Sequence, residues 1–531
     1  MSAAHAFGDR AILVAPEVLG ESYGERARTL AGLGRVVAAE LPEADVVVGG
    51  TTLLVVWNDG GLDASTLTAH AARLEAIVAP RAQGVSERRA ATEGALHQIA
   101  VFYDGADLAA VAVFAGLSID AVVALHSEQT YTALVAGFLP GFAYLGEVDP
   151  RLAKPRLATP RVRVPAGSVG VAGSMTGVYP FASPGGWNLL GRAIEPRLFD
   201  PTRTPARRIA PMDRVRFVPL EVAPVPASEP TRATQHAGAA GAALRVVSGG
   251  ALATVQDRGR AGRLGEGIPR GGALDLETLA LANAAVDNAN DAAAIEIPRG
   301  ALVVEACGAL VVSVDGAPPT RLANGARLEI PTSPRRGVRY LAVRGGVDVP
   351  IVLGSRATLL VAGLGGLEGR RLCPGDVLAI GGDVASRSDG RAMNGDASLR
   401  VAPRADDASV DPRGDDDAPL TLSIRRAPFN PDLGDASWEA LLQGERRVSN
   451  RSDRVGTRLD GPRIPRHAQD VALPEPVLPG AVQITTDGGV VVLGPDAAVT
   501  GGYPIAGVLE GASLARLGRA APGRTLRFVS R

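Results

Sequence analysis

One ordered set of turn motifs occurs twice in this chain, and that repetition limits the folds open to it. Val164-Pro165-Ala166-Gly167 returns as Leu478-Pro479-Gly480, and Thr176-Gly177-Val178-Tyr179-Pro180 returns as Thr500-Gly501-Gly502-Tyr503-Pro504. Leu190-Gly191-Arg192 pairs with Leu517-Gly518-Arg519, and Arg214-Val215-Arg216-Phe217-Val218 pairs with Arg524-Thr525-Leu526-Arg527-Phe528-Val529. Co-linear matches of this kind signal a duplicated unit. Short apolar runs punctuated by Gly and Pro make that unit a barrel of β-strands. A third echo, Arg371-Leu372-Cys373-Pro374-Gly375-Asp376-Val377-Leu378, closes a middle segment, so two or three related barrels are expected.

Composition divides the rest of the chain around these repeats. Residues 1–95 mix strand-like runs, such as Asp45 to Trp57, with a helical pattern from Ser65 to Val78, and read as a small N-terminal α/β domain. Residues 96–220 form the first barrel, with one helical pattern at Ser118 to Leu125. Residues 221–243, rich in Pro, Ala, Thr and Ser, read as a linker. Residues 244–381 form a barrel-like part with a helix at Leu276 to Val286, residues 382–419 an acidic insert expected to be disordered, and residues 420–531 a last barrel-like part. The expected fold class is mostly β with α/β: tandem barrels plus a small α/β domain.

Charge and single residues exclude several functions. The 55 basic and 56 acidic residues nearly cancel, and no block of positive charge marks a nucleic-acid face, so nucleic acid is set aside as a partner. Lys154 is the sole lysine. A Walker-type phosphate loop needs a lysine that reaches the β- and γ-phosphates, and a biotin carrier needs an attachment lysine in a hairpin; Lys154 precedes a proline in neither setting. No biotin is therefore attached to this chain. Cys307 and Cys373 lie in apolar runs without metal-ligand spacing and read as buried free thiols. No apolar run approaches a membrane span and no signal-like segment stands out, so a cytoplasmic protein without membrane association is expected.

Longer stretches resemble a known family. GFLPGFAYLG (137–146), RLAKPRLATPRVRVPAGSVGVAG (151–173) and TGVYPFASPGGWNLLGR (176–192) resemble the allophanate-hydrolase-subunit-1 family, also called the B subunit of bacterial 5-oxoprolinase. GALATVQDRGRAGRLGEGIPRGGALD (250–275), RGGVDVPIVLGSRATLLVAGLGGLEGR (344–370) and SDRVGTRLDGP (452–462) resemble its partner, the subunit-2 family, also called the C subunit. The resemblance implies cyclophilin-like barrels in a fused B/C chain. It also implies work with a separate A component of the LamB/YcsF type, opening the small molecule 5-oxoproline to glutamate with ATP and Mg²⁺. The alternatives are the carboxyltransferase part of a biotin-dependent urea carboxylase and an inhibitor that binds a histidine kinase. An isolated B/C chain favours the first of these; homo-oligomer formation stays open.

The chemistry needs donors for developing negative charge, which glycine-rich turns and arginines supply without lysine. Gly167 and Ser168 offer close backbone approach, Thr176 and Tyr179 hydroxyls, and Arg192 a charge, with Trp187 as a wall or a core filler. Phe142, between Phe138 and Tyr144, either walls an apolar pocket or fills a core. His126, in an LHxxxxY pattern with Tyr131, is a candidate general base. In the second half Gln256, Asp257 and Arg260 share the TVQDRGR motif, and Asp275 is either an acid or the N-cap of the following helix. Asn283 and Glu296 are polar groups near apolar faces, either pocket groups or buried structural partners; Arg344, Arg356, Asp453 and Arg454 follow family motifs, with Asp453 and Arg454 equally readable as a local turn and an ion pair; and Tyr503, in the repeated turn, is a candidate binding residue. A catalytic acid or metal ligand is expected among Asp257, Asp275 and Asp453; spacing does not choose one, and no metal site is assigned. Against the family pattern, Arg426-Ala427-Pro428-Phe429 stands where relatives read G-P-Q followed by acids, and Ala472-Leu473-Pro474-Glu475-Pro476 replaces an S-E-G-like run. Both departures lie in the last barrel and put its ligand contacts in doubt.

Overall fold

The structure, a computed structural model, describes residues 3–16, 23–58, 61–83, 94–194, 196–222, 241–250, 252–381, 399–400, 418–428, 432–467 and 474–531. Most of the linker expected at 221–243 and of the acidic insert expected at 382–419 lies outside the described residues, as do Phe429, Ala472 and Leu473.

Short aliphatic runs ending at Gly and Pro turns close into two seven-stranded barrels. The first uses Leu96–Phe102, Thr130–Ala136, Ala143–Gly146, Ser168–Ala172, Met175–Val178, Asn188–Ala193 and Arg214–Pro219. The second uses Leu420–Arg426, Arg446–Val448, Gly456–Asp460, Ala481–Ile484, Val490–Leu493, Ile505–Leu509 and Thr525–Ser530. Counted along the chain, the strands of both barrels follow one another in the order first, sixth, fourth, fifth, third, second, seventh. In both, the seventh strand returns parallel to the first, placing Val215 beside His97 and Leu526 beside Leu420. This shared order is the duplication that the turn motifs implied.

The motifs themselves do not all occupy equivalent places. Val164–Gly167 and Leu478–Gly480 each lead into a fourth strand, and the Arg214 and Arg524 motifs each form a seventh. By contrast, Thr176 belongs to a fifth strand, whereas Thr500–Gly501 is a short strand outside the barrel paired with Glu475–Pro476. Its counterpart in the first barrel is Ser183–Gly185, paired with Arg161–Val164. Leu190-Gly191-Arg192 is strand, while Leu517-Gly518-Arg519 ends the helix Gly511–Arg519.

The middle segment is not a third closed barrel. Its strands form two five-stranded sheets that enclose one core, including Leu244, Ile295, Val304 and Leu341. The edge strands Thr254–Gln256, Thr320–Leu322, Val377–Ala379 and Leu399–Arg400 are two or three residues long, too short to join the sheets into a cylinder. The third echo is a turn: Pro211-Met212, Pro374-Gly375 and Pro522-Gly523 precede the strands Arg214–Pro219, Val377–Ala379 and Thr525–Ser530, with φ of 79°, 95° and 86° at the second residue. A backbone in that left-handed region favours glycine, which two of the three supply.

The helix expected at Ser118 to Leu125 is Ile119–Glu128, with the Ala121 N–H donating to Ser118 Oγ at 3.2 Å, and Leu108–Ala115 precedes it. Leu276–Ala284 occupies the other expected site. Among the described residues no single helix is long and apolar enough to cross a membrane. The thiols differ from the reading above: Cys307 is half-buried and Cys373, in a turn, is exposed.

The N-terminal unit is an antiparallel sheet of Ala3–Ala6, Ala11–Ala15, Leu53–Trp57 and Ala44–Val48, with helices Tyr23–Glu40 and Ala64–Gln83. Alternate residues of its strands point to opposite faces. Ile12, Val14, Leu53 and Val55 pack on the helices, while Leu13, Leu54 and Val56 pack on Val477, Ala481, Ile505 and Val508 of the last barrel. The unit therefore leans on the barrel at the far end of the chain. Gly50 N–H donates to Pro474 O at 2.8 Å, Gly511 N–H to Asp9 Oδ2 at 2.7 Å, and a side chain at Gly49 would stand 2.6 Å from Glu475 Oε2.

Candidate functional site

Residues of the middle segment and the last barrel meet at a buried polar hub. Arg454, in the turn before Gly456–Asp460, donates to both oxygens of Asp496 at 2.9 and 2.8 Å, to Glu296 Oε1, and to Gly272 O at 2.6 Å. Glu296 also accepts from Tyr340 Oη at 2.7 Å and from the Leu274 N–H at 2.8 Å. Tyr340 Oη in turn accepts from the Asp275 N–H at 2.9 Å. Asp275 caps Leu276–Ala284 by accepting from the Glu277 and Thr278 N–H groups, and Arg519 Nε donates to it at 2.7 Å. Burial opposes the charge on Arg454, but Asp496 and Glu296 override it and hold the guanidinium protonated well beyond its usual range. The fully buried Arg260 lies near Asp257 and Asp496; its Nη2 donates to Ala357 O at 2.6 Å, and desolvation lowers its pKa. Its Nε and Nη1 find no acceptor among the described residues.

Of the residues marked by sequence, this hub gathers Arg260, Asp275 and Arg454, with Gln256 and Asp257 at its edge. Gln256 is buried and donates to Thr254 Oγ1 and Thr358 O. Asp257 accepts from the Gly259 N–H, Ser355 Oγ and the Arg356 N–H at 2.6–2.7 Å, and so ties two loops together. Asp453 accepts from the Val455 and Gly456 N–H groups within its own turn. The three candidate acids thus each hold a turn or a helix end. Among the described residues no group of three or more His, Cys, Asp or Glu is placed to hold a metal ion.

The first-half candidates fall elsewhere. His126 is fully buried inside the first barrel, stacked 4.6 Å from Phe217, with Nδ1 at 2.7 Å from Tyr103 Oη and Nε2 at 2.8 Å from Thr176 Oγ1. Burial pulls its pKa down to about 3. Both nitrogens are occupied and no solvent reaches the ring, so the general-base role expected for it does not fit. Phe142, Tyr144, Tyr179 and Trp187 pack edge-on or tilted in one buried cluster, the core alternative for these residues. Burial raises Tyr144 to about 12 and Tyr179 further. Ser168 is buried in a strand, and Gly167 supplies a turn with φ of 81°. Arg192 points outward to pair with Asp104 at 2.7 Å. What this stretch does reach is the last barrel: the Val499 N–H donates to Gly137 O at 2.8 Å, beside Tyr144.

Asn283, Arg344 and Arg356 stand apart from the hub's centre. Asn283 is buried between Ala292 O and Asn288; Arg344 pairs with Asp287 at 2.6 Å and Arg356 with Asp348 at 3.0 Å. Tyr503 is partly exposed.

Sequence reasoning missed a cavity of about 270 Å³ on the last barrel, lined by Arg426, Ala427, Pro428, Leu433, Gly434, Trp438, Ile505 and Ala506. The diverged segment Arg426-Ala427-Pro428 forms one wall. The signal available was Trp438, one of three tryptophans in the chain.

These observations define two duplicated barrels joined by a sandwich, and comparisons with known proteins give the family. Residues 2–209 match the model of the carboxyltransferase domain, subdomains C and D, and residues 266–530 that of subdomains A and B. The chain belongs to this carboxyltransferase-domain family. Its second half is similar to the C subunit of 5-oxoprolinase from Escherichia coli K12, 35% identical over 302 residues that cover 54% of this chain and 90% of that protein. Its first half is similar to the B subunit of 5-oxoprolinase from Escherichia coli O157:H7, 51% identical over 125 residues covering 23% of this chain and 57% of that protein. Urea amidolyase of Lachancea kluyveri is 31% identical over 318 residues, 54% of this chain but 17% of that protein. The crystal structure of TTHA0988 superposes with a TM-score of 0.75 at 30% identity, covering 98% of this chain and all of that one. The chain is thus a fused counterpart of the two 5-oxoprolinase components.

Proposed function

We propose that this chain is the B/C component of an ATP-dependent 5-oxoprolinase that opens 5-oxo-L-proline to L-glutamate together with a separate A component. The observation that carries this reading is the presence of both halves in one chain, each similar to a named part of 5-oxoprolinase, with the N-terminal unit and the first barrel packed against the C-like half. A lactam resists water because its amide is resonance-stabilised; phosphorylation of the amide oxygen by ATP releases ADP and creates a carbon that water can attack, after which the C–N bond breaks with the nitrogen taking a proton and phosphate leaves as the new carboxylate forms. The Mg²⁺ that accompanies ATP finds no preformed carboxylate set among the described residues, and the arginines and glycines assigned to nucleotide are buried or paired. This chain's own contribution in this reading is a rigid scaffold and a binding site for the small molecule.

Carboxyl transfer is the second reading, favoured by the family's description and the urea amidolyase relative. The test is glutamate and ADP release from 5-oxoproline, ATP and Mg²⁺, with and without the A component. Coupled release in the mixture alone is expected. Absence of release beside an A component that works with another B/C pair refutes the proposal and moves carboxyl transfer to the front.

A further inference from the structure

The cavity on the last barrel lies outside the hub and carries its own chemistry. Ala427, Leu433, Ile505 and Ala506 supply apolar side chains, Trp438 gives one flat wall, and polar and apolar atoms share the lining about equally. The guanidinium carbon of Arg426 stands 5.8 Å from the centre of the Trp438 ring. At about 270 Å³ the space lies below the range usual for drug-sized ligands, which points to a compact molecule and away from a nucleotide. We infer that this cavity binds a small carboxylate with an uncharged, compact body, and, resting on the function proposed above, that 5-oxoproline is such a ligand.

Arg426 is already engaged, but only at the surface. It pairs with Asp435 at 2.7 Å, and the two side chains are 44% and 84% exposed. An ion pair so open to water is weak, so a ligand carboxylate held in the cavity can displace Asp435 and take the guanidinium fork in two hydrogen bonds. The Trp438 face and the apolar walls then receive the ring. A free amino acid fits less well: its ammonium would lie beside the Arg426 guanidinium and be repelled by it. The cavity accordingly favours the lactam over glutamate, the substrate over the product.

Trp57 and Trp187 are buried elsewhere, which leaves half-buried Trp438 as the tryptophan that reports on the cavity. The experiment is titration of the full chain with 5-oxoproline and with glutamate, followed by tryptophan fluorescence, beside the glutamate-release assay. A saturable change is expected with 5-oxoproline, absent in Trp438→Phe, at least tenfold weaker in Arg426→Gln and at least tenfold weaker for glutamate. Asp435→Asn should bind about threefold more tightly, because the competing carboxylate is gone; a tighter variant cannot arise from misfolding. No saturable change, or affinities unmoved by Arg426→Gln and Asp435→Asn, overturns the inference. Release without cavity binding overturns the cavity and leaves the function standing; cavity binding without release supports the cavity and removes the function.

Discussion

Replacing Arg454 by Met should be the most damaging single change at the hub. Four hydrogen bonds disappear, two to Asp496, one to Glu296 and one to Gly272 O. The two carboxylates are 3% and 0% exposed, so water cannot take over the lost contacts. Glu296 keeps Tyr340 and the Leu274 N–H, which leaves Asp496 to bear most of the loss. Removing one partner of a buried ion pair costs about 3–5 kcal/mol. For a unit the size of the last barrel each kcal/mol moves the melting temperature by roughly 4 °C or more, so a shift of at least about 12 °C is expected in its calorimetric transition. A transition temperature, and not one unfolding free energy, is the proper readout because a chain of several units need not unfold in one step. Adding Asp496→Leu removes the stranded charge and should recover about half the loss; the shift should also change little with salt, since buried pairs are poorly screened. A single variant melting within about 4 °C of wild type, or a double variant worse than the single, refutes the hub as the element that joins sandwich and barrel.

Glu475 accepts from the Thr51 N–H and hydroxyl and the Thr52 hydroxyl at 2.7–2.8 Å, yet desolvation dominates and raises it to about 7. The folded chain thus keeps a proton that the unfolded chain releases near 4.5, so this joint loses up to about 3 kcal/mol as pH rises from about 4.5 to 7, and Glu475→Gln should be level across that window in thermal melts. His126 has the opposite sign: its pKa of about 3 makes the first barrel fully stable above 6.5 and progressively less so as pH falls toward 3, a slope that His126→Gln should abolish. Arg192→Ala removes an exposed pair and should change stability by less than about 0.5 kcal/mol, and with Tyr179→Phe should leave kcat/KM within about twofold. A tenfold fall in either variant would return this loop to the site.

What the sequence made legible was local. The Pro-led turns before final strands, the cap formed by Asp275 and the short aliphatic strands each follow from a few neighbouring residues, and they were enough for the barrels and their duplication. The same locality misled at Thr176-Gly177-Val178-Tyr179-Pro180 and Thr500-Gly501-Gly502-Tyr503-Pro504. Both motifs make a turn that leads onward to a strand, but turn chemistry reports the turn and not its place in the barrel order. The hub was hidden for a related reason. Arg454, in a family motif, and Glu296, a polar residue among apolar ones, stand 158 residues apart, and neither read alone names the other as partner. His126 looked like a base because nothing nearby in sequence shows that Tyr103 and Thr176 close over both its nitrogens.

The docking of the N-terminal unit on the last barrel has the widest consequence. Leu13, Leu54 and Val56 lie against Val477, Ala481 and Val508, Thr51 and Thr52 hold Glu475, and Asp9 receives the Gly511 N–H, all across more than four hundred residues of sequence. The first barrel adds Gly137 O to Val499 N–H, and Arg207 adds a bond to Gly265 O at 2.5 Å. These contacts join the B-like half to the C-like half at several points, none of which depends on residues 223–240. Covalent fusion then serves to raise the effective concentration of one half for the other, a gain that matters when the chain is dilute. A protease site introduced between residues 223 and 240 should therefore yield, after cleavage, two halves that elute together at micromolar concentration. Glu475→Ala combined with Asp9→Ala, which empties the polar joint while leaving the apolar face, should weaken that association without separating it at low ionic strength. Clean separation of the cleaved wild-type halves would show that the linker, and not this interface, holds the molecule together.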